Sequence, residues 1–193
     1  MADTANEKRK STKPVTKQRL MNAAMHYLGR FESNQQRLQE VLERKVQRWT
    51  GVMDTSGSDA IIKDTIKRCA SLDLVNDGRF AAMRAQLLMR RGKAVRHIVQ
   101  DLRARGIAQT DIDQAVAAFG QHDAKDAIIT LAKRRRLGLF RNERAQERSL
   151  ADPRKWRDKE LGALMRAGHS YHLSAAFLGL DDELALEEWL EDV

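Results

Sequence analysis

Arginine and lysine are concentrated in two stretches of this 193-residue sequence, each at the end of a helical pattern or entering a loop. A guanidinium group pairs with phosphate or carboxylate through two parallel hydrogen bonds, so such clusters are typical of surfaces that bind nucleic acid or acidic proteins. Cationic side chains also simply solvate helices, but two separate clusters exceed that need. The candidate binding residues are Arg90, Arg91, Lys93, Arg96, Arg103, Arg105, Lys133, Arg134, Arg135 and Arg136.

Side chains that could catalyse a reaction or hold a metal ion are few. Cys69 lies on the apolar face of a predicted helix with no histidine nearby, which favours a buried structural thiol over a nucleophile. His169 and His172 could share a helix face, but no cysteine or carboxylate stands at ligand spacing. Neither a phosphate-binding loop nor a dinucleotide fingerprint is present in the sequence. We therefore expect no enzymatic activity, no cofactor and no bound metal.

The net charge of +8 indicates a polyanionic partner or a strongly charged protein surface. The positive charge is unevenly distributed, because residues 171–193 contain no lysine or arginine. The acids of that segment are Asp181, Asp182, Glu183, Glu187, Glu188, Glu191 and Asp192. The rest of the chain is therefore more basic than the net value implies.

The cysteine content and the lack of long apolar segments indicate the cellular compartment of the protein. A single cysteine excludes an intramolecular disulfide and suits a reducing environment. No stretch approaches the roughly 18 consecutive apolar residues of a membrane span, and the amino terminus lacks the apolar segment of a secretory signal. We expect a cytoplasmic protein without membrane association.

Two helices flank the first basic cluster, in the stretch 76–106. The first is predicted to begin at Asp77 as its N-cap and to end at Gly92, and the second ends at Gly106. Apolar residues recur at three- and four-residue spacing in both, which predicts core-facing stripes. The predicted stripes comprise Phe80, Met83, Leu87, Leu88, Val95, Ile98, Val99 and Leu102.

The chain as a whole is predicted to be all-α, with nine helices and no hairpin signals, since proline occurs only twice. A local pattern recurs about every 60 residues, as LERKV from Leu42, LRARG from Leu102 and LMRAG from Leu164. The predicted organisation begins with a disordered basic tail at 1–14. Three three-helix repeats follow at 15–72, 73–119 and 120–178, the first containing a flexible loop at 50–58 and the third a less regular stretch at 137–151. An acidic C-terminal extension at 179–193 contains a short amphipathic segment.

Small repeats bury little surface alone and depend on stacking against their neighbours. The three tandem repeats are therefore expected to form an elongated, curved body. Such a body suits a long partner better than a small substrate.

The stretch 76–107, NDGRFAAMRAQLLMRRGKAVRHIVQDLRARGI, resembles the central signature of the RecX recombination regulators. That signature has an acidic cap, Arg-Phe-Ala, an Arg-Gly break, a spacer to Ile and a Leu-Arg-x-(Lys/Arg)-Gly-Ile ending. Its elements fall at Asp77, at residues 79–81, at Arg91-Gly92, at Ile98 and at residues 102–107. The later LMRAGHSYHLSAAF is similar to the ending of the family's third repeat, and the resemblance covers roughly residues 15–178.

This resemblance implies a non-enzymatic monomer that lies in the helical groove of the RecA filament on DNA. It further implies inhibition of RecA ATP hydrolysis, strand exchange and co-protease activity, and hence modulation of recombination, DNA repair and the SOS response. The candidate cations would pair with acids of RecA or with the single- or double-stranded DNA bound there. Two alternatives remain open: a direct DNA-binding helical module that acts by competing for DNA, and a helical scaffold for another partner.

Overall fold

A computed structural model of the protein describes residues 14–51 and 56–192. Across these ranges the chain forms eleven α-helices, two short 3-10 turns and no β-strand, which confirms the predicted all-α class. The helices are α1 (Lys17–Leu28), α2 (Gln35–Thr50), α3 (Asp59–Ser71), α4 (Asp77–Arg90), α5 (Val95–Ala104), α6 (Gln109–Val116), α7 (Gln121–Arg135), α8 (Glu143–Ala151), α9 (Pro153–Arg166), α10 (Tyr171–Phe177) and α11 (Glu183–Glu191).

Parts of two predictions fall outside the described residues. They are the disordered tail at 1–14, of which only Pro14 is described, and the loop at 50–58, of which 52–55 are not. In the ranges that are described, no helix combines the length and the apolar composition needed to cross a membrane.

The chain divides into two compact units, with the division between Asp77 and Gly78. The first unit is a three-helix repeat, in which α1, α2 and α3 surround one apolar core. Cys69 is fully buried in that core, as the sequence predicts for a structural thiol, and burial raises its pKa. Thr16 and Asn34 cap α1 and α2 by accepting backbone N–H groups.

Asp77 has a different position from the predicted one. The sequence predicts it as the N-cap of its own helix, whereas in the structure it is the first helical residue of α4. Its carboxylate accepts the backbone N–H of Gln35, 2.8 Å away, at the start of α2. Asp77 therefore accepts a hydrogen bond from a free N–H at the N-terminus of α2, which begins 42 residues earlier. The partial positive charge of a helix N-terminus favours a carboxylate at this position.

The second unit begins with a core built from α4, α5 and α6. In α5 the predicted stripe is confirmed, since Ile98 and Leu102 are fully buried. In α4 the predicted stripe is only partly confirmed. Leu88 is buried and Phe80 packs partly buried against the core, whereas Met83 is 51% exposed and Leu87 is 37% exposed. The buried residues of α4 are Ala81, Ala85, Leu88 and Met89. Alanine is only weakly hydrophobic and is therefore easily overlooked in a sequence pattern, but its small side chain permits close approach of a neighbouring helix.

A second core of the same unit gathers residues of α7, α9 and α10, with Phe177 at its centre. The acidic segment packs on this core as α11, through Leu186 and Trp189. Lys125 of α7 is buried beneath it and donates to the carbonyls of Trp189, at 2.5 Å, and of Asp192. A cation thus meets the free carbonyls at the C-terminal end of α11, where it is most stabilising.

The stretch 137–151 is more regular than predicted, since it contains a 3-10 turn (Gly138–Phe140) and α8. Only Ser149 of α8 is buried, so the helix has no apolar stripe from which it could have been recognised. The stretch is anchored by an ion pair between Arg141 and Glu160, with Nε 2.8 Å from Oε1. Glu160 is buried and also accepts the indole N–H of Trp156 at 3.1 Å.

The repeated pattern has a structural counterpart, since Leu42, Leu102 and Leu164 are all fully buried. After Leu102 and Leu164 the helices end alike, at a left-handed glycine. The carbonyl of Leu102 accepts the N–H of Ile107 at 3.2 Å, and the carbonyl of Leu164 accepts the N–H of His169 at 3.3 Å. In the first repeat α2 continues to Thr50, because no glycine follows Leu42 at that spacing.

The neighbouring leucines of α4 test which face is buried. Leu88→Ala is expected to lower the free energy of unfolding by about 3 kcal/mol, because it leaves a cavity in the core. Leu87→Ala removes the same atoms from a more exposed position and is expected to cost about 0.5 kcal/mol. Urea unfolding followed by circular dichroism measures both. A larger loss for Leu87→Ala than for Leu88→Ala would show that Leu87, and not Leu88, faces the core.

Candidate binding surface

The two basic clusters meet at the turn between α4 and α5. Nη1 of Arg134, at the end of α7, donates to the backbone carbonyl of Arg91 at 3.0 Å, although the two residues are 43 positions apart. The end of α7 therefore lies against the turn that carries Arg91 and Lys93. We call the cations at this place, Arg91, Lys93, Arg96 and Arg134, the junction surface.

Gly92 brings the turn directly onto the backbone of α7. It has a φ of +73°, the left-handed conformation that terminates α4. A Cβ atom at this position would lie 2.7 Å from the carbonyl oxygen of Ala127 and 2.8 Å from the nitrogen of Leu131. Only glycine allows this approach, so the Arg91-Gly92 pair positions a basic turn on a neighbouring helix.

The opposite side of the turn contacts residues 167–169, between α9 and α10. The N–H of Ala94 donates to the carbonyl of Ala167 at 3.4 Å. Nε2 of His169 lies 3.2 Å from the carbonyl oxygen of Gly92. A Cβ on Gly168 would be 3.1 Å from the ring of His97, so the two turns pack closely. The turn 91–94 is thus held between α7 and the turn 167–169.

His169 contributes through a buried ring. Because the Gly92 carbonyl can only accept, Nε2 of His169 carries the proton and donates. Burial lowers the pKa of His169, and the nearby His97 and Lys93 lower it further, while the bond to Gly92 opposes them. The sequence suggested that His169 could share a helix face with His172. In the structure His169 precedes α10 and is buried, whereas His172 is exposed.

Besides Arg134, three of the predicted cations are engaged within the protein. Arg105 donates to Asp101 with Nε 2.8 Å from Oδ2, and Asp101 also accepts two bonds of 2.9 Å from Arg84. Arg103 donates to the side-chain oxygen of Gln109 at 2.9 Å and 3.1 Å. The ammonium group of Lys133 lies over the ring of Phe140, 5.3 Å from its centroid.

The remaining predicted cations project from the surface. Arg90, Arg91, Arg96, Arg135 and Arg136 are exposed and Lys93 is partly so. In residues 14–51 and 56–192, their side chains have no ion-pair or hydrogen-bond partner. Arg90 lines a groove of about 340 Å³ that also contains Asp123 and Asp126, so its surroundings are electrostatically mixed.

Sequence reasoning missed the residues that organise this surface. The i,i+4 spacing of Asp101 and Arg105 was a usable signal for their ion pair. Arg84 and His169 carried no such signal, because their partners lie 17 and 77 positions away. These residues determine which of the cations are available to a partner.

Comparisons with known proteins agree with the earlier resemblance. A family model described as the second three-helix domain of RecX matches residues 76–116. "Regulatory protein RecX" of Myxococcus xanthus (strain DK1622) is 30% identical over 168 residues, which cover 86% of this chain and 87% of that protein. The chain belongs to the RecX family. The matched segment of this RecX-family protein contains α4, α5 and α6, and hence most of the junction surface.

Two further relatives agree. "Regulatory protein RecX" of Syntrophotalea carbinolica (strain DSM 2380 / NBRC 103641 / GraBd1) is 30% identical over 130 residues, covering 66% of this chain and 78% of that protein. The crystal structure of RecX from Lactobacillus salivarius superimposes with a TM-score of 0.63 at 20% identity. It covers 92% of this chain and 97% of the other. At this identity the likeness shows a shared RecX fold.

The packing of Gly92 predicts a position-specific cost for alanine. Gly92→Ala is expected to lower the free energy of unfolding by about 3 kcal/mol, since it adds a clash with α7 to left-handed strain. Gly51→Ala is the matched control, because Gly51 has a φ of +74° and no atom of the described part of the chain would lie within 4 Å of the added Cβ. It is expected to cost about 1 kcal/mol. Urea unfolding measures both; equal costs would contradict close packing of the turn on α7.

The Asp101 ion pairs predict a loss of stability in acid. Hydrogen bonds from Arg84, and also from Arg105, hold the pKa of Asp101 well below its usual range. The ionised carboxylate therefore stabilises the fold fully above about pH 4, and this stabilisation is lost as the pH falls further. Asp101→Asn is expected to cost about 2 kcal/mol at pH 7 and clearly less at pH 3. Asp158→Asn, at an exposed position, is the control and should have little effect at either pH. A cost of Asp101→Asn that is independent of pH would exclude the ion pairs as its cause.

Proposed function

We propose that this protein regulates the RecA recombinase by binding the RecA–DNA filament in its helical groove. It acts there as a monomer and inhibits RecA ATP hydrolysis, strand exchange and co-protease activity, and so modulates recombination and the SOS response in the cytoplasm. Membership of a family whose members are named regulatory proteins supports a regulatory rather than a catalytic role. The RecA target rests on the resemblance of the 76–107 signature.

The observation that carries this proposal is the contact between Arg134 and the carbonyl of Arg91. It brings cations of two repeats to one place, so a single partner can contact both. Among the residues that the structure describes, the guanidinium groups of Arg91 and Arg96 have no partner. Such groups bind carboxylate or phosphate in a bidentate manner. Several such contacts on one chain give tight binding without a deep pocket, because later contacts form at high effective concentration.

A second candidate function follows from the same guanidinium groups. Phosphates of DNA are as suitable for them as carboxylates of RecA, and a phosphate-dominated DNA binder would inhibit RecA simply by occupying its substrate. The two functions differ in salt dependence, because release of condensed counterions makes DNA affinity fall steeply as salt increases. They also differ in stoichiometry, since competition requires DNA to be largely covered.

Charge reversal at Arg91 and Arg96 tests the proposed site. The double variant Arg91→Glu, Arg96→Glu is expected to raise the concentration for half-inhibition of RecA ATP hydrolysis at least about tenfold, which is about 1.4 kcal/mol of lost interaction. The matched control is Arg144→Glu, Arg148→Glu, which makes the same change of charge at exposed positions of α8. It should inhibit like the unaltered protein.

The assay needs a DNA-binding isotherm without RecA, at the same salt concentration. Inhibition well below one molecule per RecA protomer, where DNA alone is hardly bound, supports action on the filament. Inhibition only at concentrations that saturate the DNA supports competition instead. Equal inhibition by the folded Arg91/Arg96 variant and the α8 control would remove the junction surface from the binding site.

A further inference from the structure

The carbonyl of Gly92 belongs to neither of the helices that flank it. The terminating bonds of α4 use the carbonyls of Leu87, Leu88 and Met89, and α5 begins only at Val95. Gly92 is buried, and a buried carbonyl without a donor costs about 1–3 kcal/mol. Its partner is Nε2 of His169, a side chain of the third repeat. A residue 77 positions away thus completes the backbone bonding of the basic turn.

This bond acts together with two others that also come from outside the second repeat. The carbonyl of Ala167 accepts the N–H of Ala94 on one side of the turn, and the guanidinium of Arg134 donates to the carbonyl of Arg91 on the other. The peptide groups before and after Lys93 are therefore held by the third repeat. Because side chains leave the backbone in directions set by these peptide groups, the third repeat orients Arg91 and Lys93.

Among these contacts, the histidine bond is distinctive. Arg134 is exposed, so solvent competes for its bond, whereas His169 is only 6% exposed and exchanges its bond with water less easily. The backbone just before it is also closely packed, because Gly168 lies against the ring of His97. The buried histidine is therefore suited to fix the geometry of an exposed basic turn.

We propose that His169 is a positioning residue for the junction surface. By holding the carbonyl of Gly92, it keeps Arg91 and Lys93 beside Arg134, so that cations of the second and third repeats bind one partner together. The identity of that partner, the RecA–DNA filament, rests on the proposed function. The positioning of the turn itself does not depend on RecA.

The variants separate the hydrogen bond from the bulk of the ring. His169→Ala removes the donor, and is expected to raise the concentration for half-inhibition of RecA ATP hydrolysis at least about tenfold. His169→Gln keeps an N–H donor at a similar reach, and is expected to remain within about threefold of the unaltered protein. His172→Ala is the matched control, since His172 is exposed three residues further on and is expected to change nothing.

Hydrogen exchange gives a readout that does not require RecA. The amide of Ala94, which donates to Ala167, is expected to exchange at least about tenfold faster in His169→Ala than in the unaltered protein or in His169→Gln. Amides of α2, in the first unit, serve as the internal reference. Faster exchange throughout the chain would indicate general destabilisation and would contradict a positioning role.

A pH profile covers the case in which His169→Ala does not fold. The charged groups that act on the ring are Lys93 in the turn and His97 in α5, and both disfavour a second proton on it. Since burial also lowers its pKa, the folded state loses stability as the pH falls below about 6.5. Protection of the Ala94 amide should therefore decline between pH 7 and pH 5.5 in the unaltered protein and less in His169→Gln. Identical profiles would overturn the proposal.

The outcomes also distinguish the two proposals. If the unaltered protein fails to inhibit RecA, the proposed function fails, while hydrogen exchange still decides whether His169 positions the turn. If inhibition is present and His169→Gln loses it as fully as His169→Ala, the hydrogen bond is not what matters and the positioning role is wrong. Inhibition by His169→Ala equal to that of the unaltered protein would also overturn it.

Discussion

The close packing of Gly92 against the backbone of α7 is the contact on which the arrangement of the second unit depends. It brings the end of α4 within hydrogen-bonding distance of two other segments, the end of α7 and the turn 167–169. A side chain at this position would separate them. The basic residues of the two clusters are distant in sequence and become neighbours only because a glycine removes the steric barrier between a turn and a helix.

The charges of the protein divide into those that build the fold and those that remain exposed. Asp101 is shared by Arg84 and Arg105, and Glu160 pairs with Arg141, so these arginines stabilise helix packing. Such pairs form where partial burial strengthens the attraction and hydrogen bonds satisfy the carboxylate. Within residues 14–51 and 56–192, the guanidinium groups beside Gly92 have no such acid, which is why a basic surface persists there. Net charge alone gives no indication of this division.

The sequence predicts the helices well, because their apolar residues recur at the helical period, as in α5. It predicts the buried face of α4 only in part, since Leu88 is buried as expected, while Ala81 and Ala85 also form the contact and Met83 and Leu87 remain exposed. It identifies the cations as a group but does not show that Arg134 and Arg91 are neighbours, or that Arg105 is engaged. Those facts depend on tertiary contacts between segments that share no periodic signal. The bond from His169 to Gly92 is the extreme case.

The burial of Lys125 under α11 has a consequence for how the acidic C-terminal segment can be studied. The ammonium group is bound by carbonyls of the last turn, at Trp189 and Asp192, so the segment supplies the solvation of a buried cation as well as negative charge. A protein shortened before Trp189 would contain a lysine in an apolar site without acceptors, and it would lose the ring that packs on Phe177. Shortening the chain therefore perturbs the third repeat, whereas exchanging the exposed acids for amides isolates their charge.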